Sequence, residues 1–242
     1  MSPGNVPASA GAGPFRLVVF DWDGTLVDSI PAIVECTLAA LSRIDRYPLP
    51  SVEEIRGAIG MGLRDSMEQF FPGSGDGFLA ELTEAYRELW LGTYRERVAL
   101  FPGARAAVEA VGAAGHLLAV ATAKSRRGLD RELAATGIGP LFRATRTVDE
   151  APPKPHPEML LSLCAELAVP PAAALMVGDT TFDLDMARAA GAPAVGVLSG
   201  SHARERLAGS GPLAILGGVA ELPGWLAARA AGAAAPATPA AG

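Results

Sequence analysis

The apolar run Leu17-Val18-Val19-Phe20 stops on an aspartate, and that stop is what most constrains the chain. Four apolar residues in succession read as a strand buried on both faces. Asp21-Trp22-Asp23-Gly24-Thr25 follows at once, so a second carboxylate stands two residues beyond the first. Like charges held close at a buried place cannot both stay ionised unless a cation or a shared proton relieves them. Chemistry is the common reason for the arrangement. The rest of the chain can be read by asking which residues complete such a site.

A length of 242 residues, half of them hydrophobic, allows one large α/β domain or a core with a smaller second unit. The net charge of -6 and the lack of a basic run argue against nucleic acid or an anionic membrane as main partner. No stretch reads as a signal peptide or a membrane span, so a cytoplasmic protein, monomeric or a small homo-oligomer, is expected. Cys36 and Cys164 lie far apart in helical stretches and read as core thiols of a reducing compartment. Of the 20 basic residues only Lys124 and Lys154 are lysines. Lysine is a compact point charge where arginine is a broad planar fork, so a chain that uses arginine elsewhere has reason for each of them.

Along the chain, residues 1–13 read as a disordered tail and 14–20 as the approach and first strand. From Ser29 to about Val98 the periodicity is helical throughout, with a capping box at Ser51-Val52-Glu53-Glu54. Strands and helices then alternate: strands near 116–121, 142–147, 174–177, 194–198 and 213–215, with helices between the earlier ones. That alternation predicts a Rossmann-like parallel sheet with helices on both faces. The division expected is an α/β core at 14–27 and 99–228, an all-helical insert at 28–98, and a second disordered tail at 229–242. Ligands of an open parallel sheet bind at the carboxyl ends of the strands. Asp21 and Asp23, Thr122, and Asp179 all end strands and are expected to meet there.

Asp21-Trp22-Asp23-Gly24-Thr25 resembles the first motif of the haloacid dehalogenase superfamily. Thr122 at a strand end, Lys154 before a helix, and Gly178-Asp179-Thr180-Thr181-Phe182-Asp183 after a strand follow in that family's order. The resemblance spans roughly residues 15–220 and implies that superfamily's fold with a helical cap inserted after the first strand. It also implies a Mg²⁺-dependent phosphatase working through an aspartyl-phosphate. Asp21 would be the nucleophile and Asp23 the general acid and base. Asp21, the Asp23 carbonyl, Asp179 and Asp183 would hold Mg²⁺, which favours hard oxygen ligands. Thr122, Lys154 and backbone at Trp22, Gly24 and Ala123 would bind phosphate. Ala123 stands where such phosphatases often carry asparagine or serine.

Within the insert, Gly60, Gly62 and Arg64 are the candidates for reading the leaving group, the arginine through a carboxylate or second phosphate. Residues 28–100 contain no lysine, which disfavours the phosphonoacetaldehyde hydrolase branch and its cap Schiff base. Asp23 disfavours the dehalogenase branch, which lacks that second aspartate. The resemblance is closest to the phosphoglycolate phosphatase-like group, acting on a small phosphorylated metabolite such as phosphoglycolate or a sugar phosphate. A β-phosphoglucomutase-like phosphotransferase is the alternative, and a catalytically silent binding module a further one.

Overall fold

The structure is a computed structural model and describes residues 13–45 and 48–234. Its first strand, β1 (Leu17–Phe20), is wholly buried. Leu17 and Val19 point to one side of the sheet, Val18 and Phe20 to the other, as period-two alternation requires. β2 (Val27–Asp28) follows, then helices α1 (Ile30–Arg43), α2 (Val52–Ala58), α3 (Leu63–Phe70) and α4 (Asp76–Leu89). A π-helical turn, Trp90–Tyr94, and a short 3₁₀ turn bring the chain back to β3 (Ala99–Leu100), which pairs antiparallel with β2. The helical insert is thus closed off by a two-stranded ladder at its base. Its own apolar residues, among them Leu41, Met67, Leu79 and Leu82, pack together away from the sheet.

Beyond the insert come α5 (Ala104–Ala113), β4 (Leu117–Ala121), α6 (Arg126–Thr136), β5 (Ala144–Arg146), α7 (Glu158–Glu166), β6 (Ala174–Gly178), α8 (Thr181–Ala190) and β7 (Ala194–Val197). The chain finishes with α9 (Arg204–Gly209), β8 (Ala214–Leu216) and α10 (Leu222–Ala234). Six strands form one parallel sheet in the order β5-β4-β1-β6-β7-β8. Residues of α5, α6 and α10 cover one face, and residues of α7, α8 and α9 the other. β1 sits between β4 and β6, so the chain order reverses beside it. A crevice opens at such a switch point, on the carboxyl side of the strands.

The expected α/β class and the alternation of elements hold. Two differences have physical causes. β2 and β3 are two residues each, too short to leave a periodic signature. α10 runs through Arg229 to Ala234, where the composition reads as a tail. Pro223 falls in its first turn, where a missing N–H costs nothing, and alanine is the best helix former. Leu222 and Leu226 then bury into the core, and Trp225 stacks on Phe15 at 6.2 Å. The tails expected at residues 1–12 and 235–242 lie outside the described residues. No helix among the described residues is long and apolar enough to cross a membrane.

Truncating Leu222 or Trp225 to alanine should therefore destabilise the fold by roughly 2–4 kcal/mol each. The measurement is the urea midpoint at constant slope. An unmoved midpoint would show that α10 adds nothing to the core.

Candidate active site

β1 delivers Asp21 to the crevice. The Asp21 amide donates to the Val177 carbonyl on β6, 2.9 Å, which extends the ladder by one residue and sets the side chain at its end. The last residue of β6, Gly178, has no side chain, and the space is filled by Asp183. A Cβ at Gly178 would lie 2.3 Å from Asp183. Asp179 follows, fully buried, accepting from the Thr25 hydroxyl at 3.0 Å and the Ser201 amide at 2.8 Å. Lys154 reaches in from the loop between β5 and α7, presented between Pro153 and Pro155. Its ammonium lies 2.5 Å from Asp21 Oδ1 and 2.6 Å from Asp183 Oδ1, with its side chain wholly buried.

This is a buried cluster of three carboxylates and one ammonium. Burial pushes the Asp21 carboxyl well above the ordinary range; Lys154 offsets part of that, while Asp183 and Asp179 add to it. Burial, with Asp183 beside it, raises Asp179 to about 7. Burial works against the Lys154 charge, but the facing carboxylates outweigh it and hold the ammonium above its usual value. One cation does not balance three acids.

Ligand oxygens of Asp21, Asp179 and Asp183 all lie within 4.8 Å of one another, so the triad can hold a metal ion. An all-oxygen donor set of this kind fits a hard divalent cation. The surroundings are carved to suit. A Cβ at Gly200 would come within 1.9 Å of Asp179 Oδ2 and one at Gly24 within 2.5 Å, so Asp179 occupies space that only glycine leaves open. Asp183 has further duties: its Oδ2 accepts from the Thr180 amide and hydroxyl, closing a capping box at the start of α8. With Oδ1 on Lys154, both its oxygens are in use.

Asp23 is turned differently. Its carboxylate accepts from Ser29 Oγ at 2.7 Å and from the Lys124 ammonium at 3.0 and 3.2 Å. It lines the same cleft as Asp21, Thr122 and Ala123. Thr122 Oγ1 accepts from the Lys124 amide, which leaves its hydroxyl proton to be donated elsewhere. Trp22 is fully buried with its ring in the core. Among the described residues, no hydrogen bond takes up the Trp22 or Asp23 amide.

One expectation, for the Gly24 amide, needs correction here, and Arg64 has a partner of its own. The Gly24 amide donates to the Val27 carbonyl at 2.8 Å and does not face the cleft. Gly24 instead serves a tight turn at φ +80 and the close approach of Asp179. Arg64 lines the cleft, but its guanidinium pairs with Asp76, an exposed acid twelve residues on at the start of α4. Both partners of that pair are exposed to solvent, which screens it.

Gly60 and Gly62 line the cleft, and Gly60 presses on the α/β core. Gly60, at φ +102, lies where a Cβ would meet Thr180 and Phe182, whereas a Cβ at Gly62 would crowd Asp65 of the insert at 3.0 Å and reach Pro153 only at 3.8 Å. Neighbouring contacts run the same way: Arg56 donates to the Gly200 carbonyl at 3.1 Å, and His202 Nε2 stands 3.4 Å from the Gly57 carbonyl.

A family model described as haloacid dehalogenase-like hydrolase matches residues 18–197, the stretch that holds every residue of this cluster. The chain belongs to that family. Among curated relatives, "Probable phosphatase IndB" of Dickeya dadantii is 35% identical, over 86% of this chain and 92% of its own length. A phosphoglycolate phosphatase of Mannheimia succiniciproducens is 33% identical, over 82% of this chain and 92% of its own. Of solved structures, a "predicted phosphoglycolate phosphatase" from Haemophilus somnus 129pt superposes with a TM-score of 0.75 at 28% identity, covering 88% of this chain and 98% of that one.

Sequence reasoning missed one group in this hydrolase. Lys124 Nζ is held by Asp23 and by Glu132 Oε1 at 2.8 Å, under the ring of Trp90 at 5.1 Å. Glu132 Oε2 in turn accepts from Trp22 Nε1 at 2.5 Å. The scarcity of lysine was the available signal for Lys124. Glu132, on an outwardly polar helix, and Trp90, in the insert, carried none.

The hydrolase's buried acids set its response to pH. Because Asp179 is raised to about 7, its contribution to stability is present at low pH and is lost as pH climbs through about 7 in metal-free protein. Chelator-treated protein should melt at a lower temperature near pH 8 than near pH 6. Added Mg²⁺ should raise the midpoint more at the higher pH, because the ligand carboxylates must be ionised to bind. Equal shifts at both values would place the metal elsewhere.

Proposed function

We propose that the protein is a Mg²⁺-dependent phosphatase that hydrolyses a small phosphate monoester through an aspartyl-phosphate. The observation that carries the reading is the Asp21–Lys154–Asp183–Asp179 cluster at the carboxyl ends of β1 and β6. The phosphatase names of the curated relatives support hydrolysis over transfer to a sugar.

In this reading Asp21, Asp179, the Asp23 carbonyl and, directly or through a water, Asp183 would hold Mg²⁺. When bound, the ion supplies the positive charge that keeps Asp21 ionised and offsets the substrate's own charge. Asp21 attacks phosphorus, the bond from phosphorus to the leaving oxygen breaks, and Asp23 gives that oxygen a proton. Asp23 then takes a proton from water, whose oxygen attacks phosphorus and frees Asp21. Lys154 sits against the attacking carboxylate, where charge spreads over the transferring group. Thr122 donates its hydroxyl, and the free amides at Trp22 and Asp23 are further donors for phosphate oxygens. In α6 the Arg126 and Gly128 amides are taken by Asp149 and Ser125, so that helix contributes its dipole more than its first-turn N–H groups. The helical insert is the cap, closing over the leaving group.

Lys124 is a positioning residue for Asp23: it fixes both carboxylate oxygens and sits against the cap through Trp90.

Purified protein with Mg²⁺ should release phosphate from a generic aryl phosphate, and Asp21→Asn should lower kcat by about a thousandfold or more. An active Asp21→Asn variant refutes the covalent route. With a sugar phosphate, free phosphate means hydrolysis, and isomerisation without release means transfer. Lys124→Met should cut kcat about tenfold or more for an alkyl phosphate, whose leaving oxygen needs a proton, and far less for p-nitrophenyl phosphate, whose does not. Equal losses on both would assign Lys124 a merely structural role.

A further inference from the structure

The cleft above Asp21 has a volume of about 750 Å³. That lies in the range of sites that bury drug-sized ligands, and a two-carbon acid such as glycolate would leave most of it as water. The wall facing the catalytic end carries a broad apolar and aromatic stretch, with Arg64 and Arg87 also on the cap side, each paired with an exposed acid. Phe70, Ile33, Ile55 and Ile59 line it from the cap, and so do Tyr86 and Trp90. The last two rings lie nearly parallel, with centroids 6.0 Å apart and 9° between their planes, an aromatic pair that forms a platform on this side of the cleft. Trp90 opens the π-helical turn, a helix form that is rare and concentrates at functional sites. It lies over Lys124, so the platform is tied to the residue that holds Asp23. Across the cleft, α6 presents Arg127 and Arg131, four residues apart, neither with an acidic partner among the described residues. Planar guanidinium forks suit the polar edge or the face of a ring.

We propose that the substrate is a phosphate monoester whose alcohol carries a planar aromatic or heteroaromatic ring, seated against Tyr86, Trp90 and Phe70 with its polar edge toward Arg127 and Arg131. The inference rests on the phosphatase reading and specifies its substrate class. The catalytic end takes the phosphate, a short polar stretch of the alcohol crosses the region of Asp23, and the ring fills the cap side.

The test is a comparison of esters with Mg²⁺ present. Uridine 5′-monophosphate, pyridoxal 5′-phosphate and flavin mononucleotide carry rings; ribose 5-phosphate and phosphoglycolate do not. The best ring-bearing ester should exceed both ring-less ones in kcat/KM by about tenfold or more, the scale of ring stacking. Phe70→Leu and Trp90→Leu should shrink that ratio by about fivefold or more. Phosphate release that favours phosphoglycolate or ribose 5-phosphate overturns the inference and leaves the phosphatase reading standing. A preference for rings that survives both substitutions overturns the assigned platform. If none of the esters, nor p-nitrophenyl phosphate, releases phosphate, the phosphatase reading fails and this inference with it.

Discussion

The ammonium of Lys154 is the one contact on which the rest of the site depends. It is buried without exposure and touches Asp21 and Asp183 at once. An ion of that size is costly to take out of water, by several kcal/mol even after relaxation, unless opposite charge is held against it. Here the opposite charge comes from the two strands flanking the switch point: β1 supplies Asp21, and the segment after β6 supplies Asp183. The parallel sheet brings together groups far apart in sequence, and the ammonium makes their closeness tolerable. Asp183 also caps α8, so the charge balance and the start of that helix are the same piece of structure.

The second lysine does similar work a few residues away. Lys124 is surrounded by Asp23, Glu132 and the face of Trp90, and burial is again outweighed by the carboxylates, which hold its charge above the ordinary value. The two aspartates of the first motif therefore stand in separate electrostatic settings. Asp21 belongs to the core cluster with Lys154, and Asp23 to a pair whose third neighbour lies in the insert. Two carboxylates with separate partners are able to take separate roles.

Much of this was legible in the chain. Strands such as Leu17–Phe20 and Ala174–Gly178 are continuous apolar runs, and their ends show where polar residues must gather. Asp21, Lys154, Asp179 and Asp183 stand in an order that resembles one family, and the structure brings them together. What escaped notice depends on partners distant in sequence or on backbone detail. Glu132 looks like any acid on an exposed helix face until Trp22 and Lys124 reach it from two other strands' ends. The Gly24 amide turns inward to Val27 because of how the loop closes, which composition does not encode. Arg64 lines the cleft, and its pairing with Asp76 is a contact that residue spacing alone does not announce. The alanine-rich end reads as tail until Leu222 and Leu226 find the core.

The small ladder of β2 and β3 has a consequence for how such a chain is assembled. A long excursion normally loads its host with the entropy of joining two distant ends. Val27 pairs with Leu100 and Asp28 with Ala99, so the excursion is closed at its own base before the large sheet needs it. To the sheet, everything between those residues is nearly a loop of zero length. The insert can grow, shrink or change its interior with little effect on how β1 finds β4 and β6. Variation inside the insert is thereby uncoupled from the sheet except where the two touch, as at Trp90 over Lys124 and at Gly60 against Thr180 and Phe182.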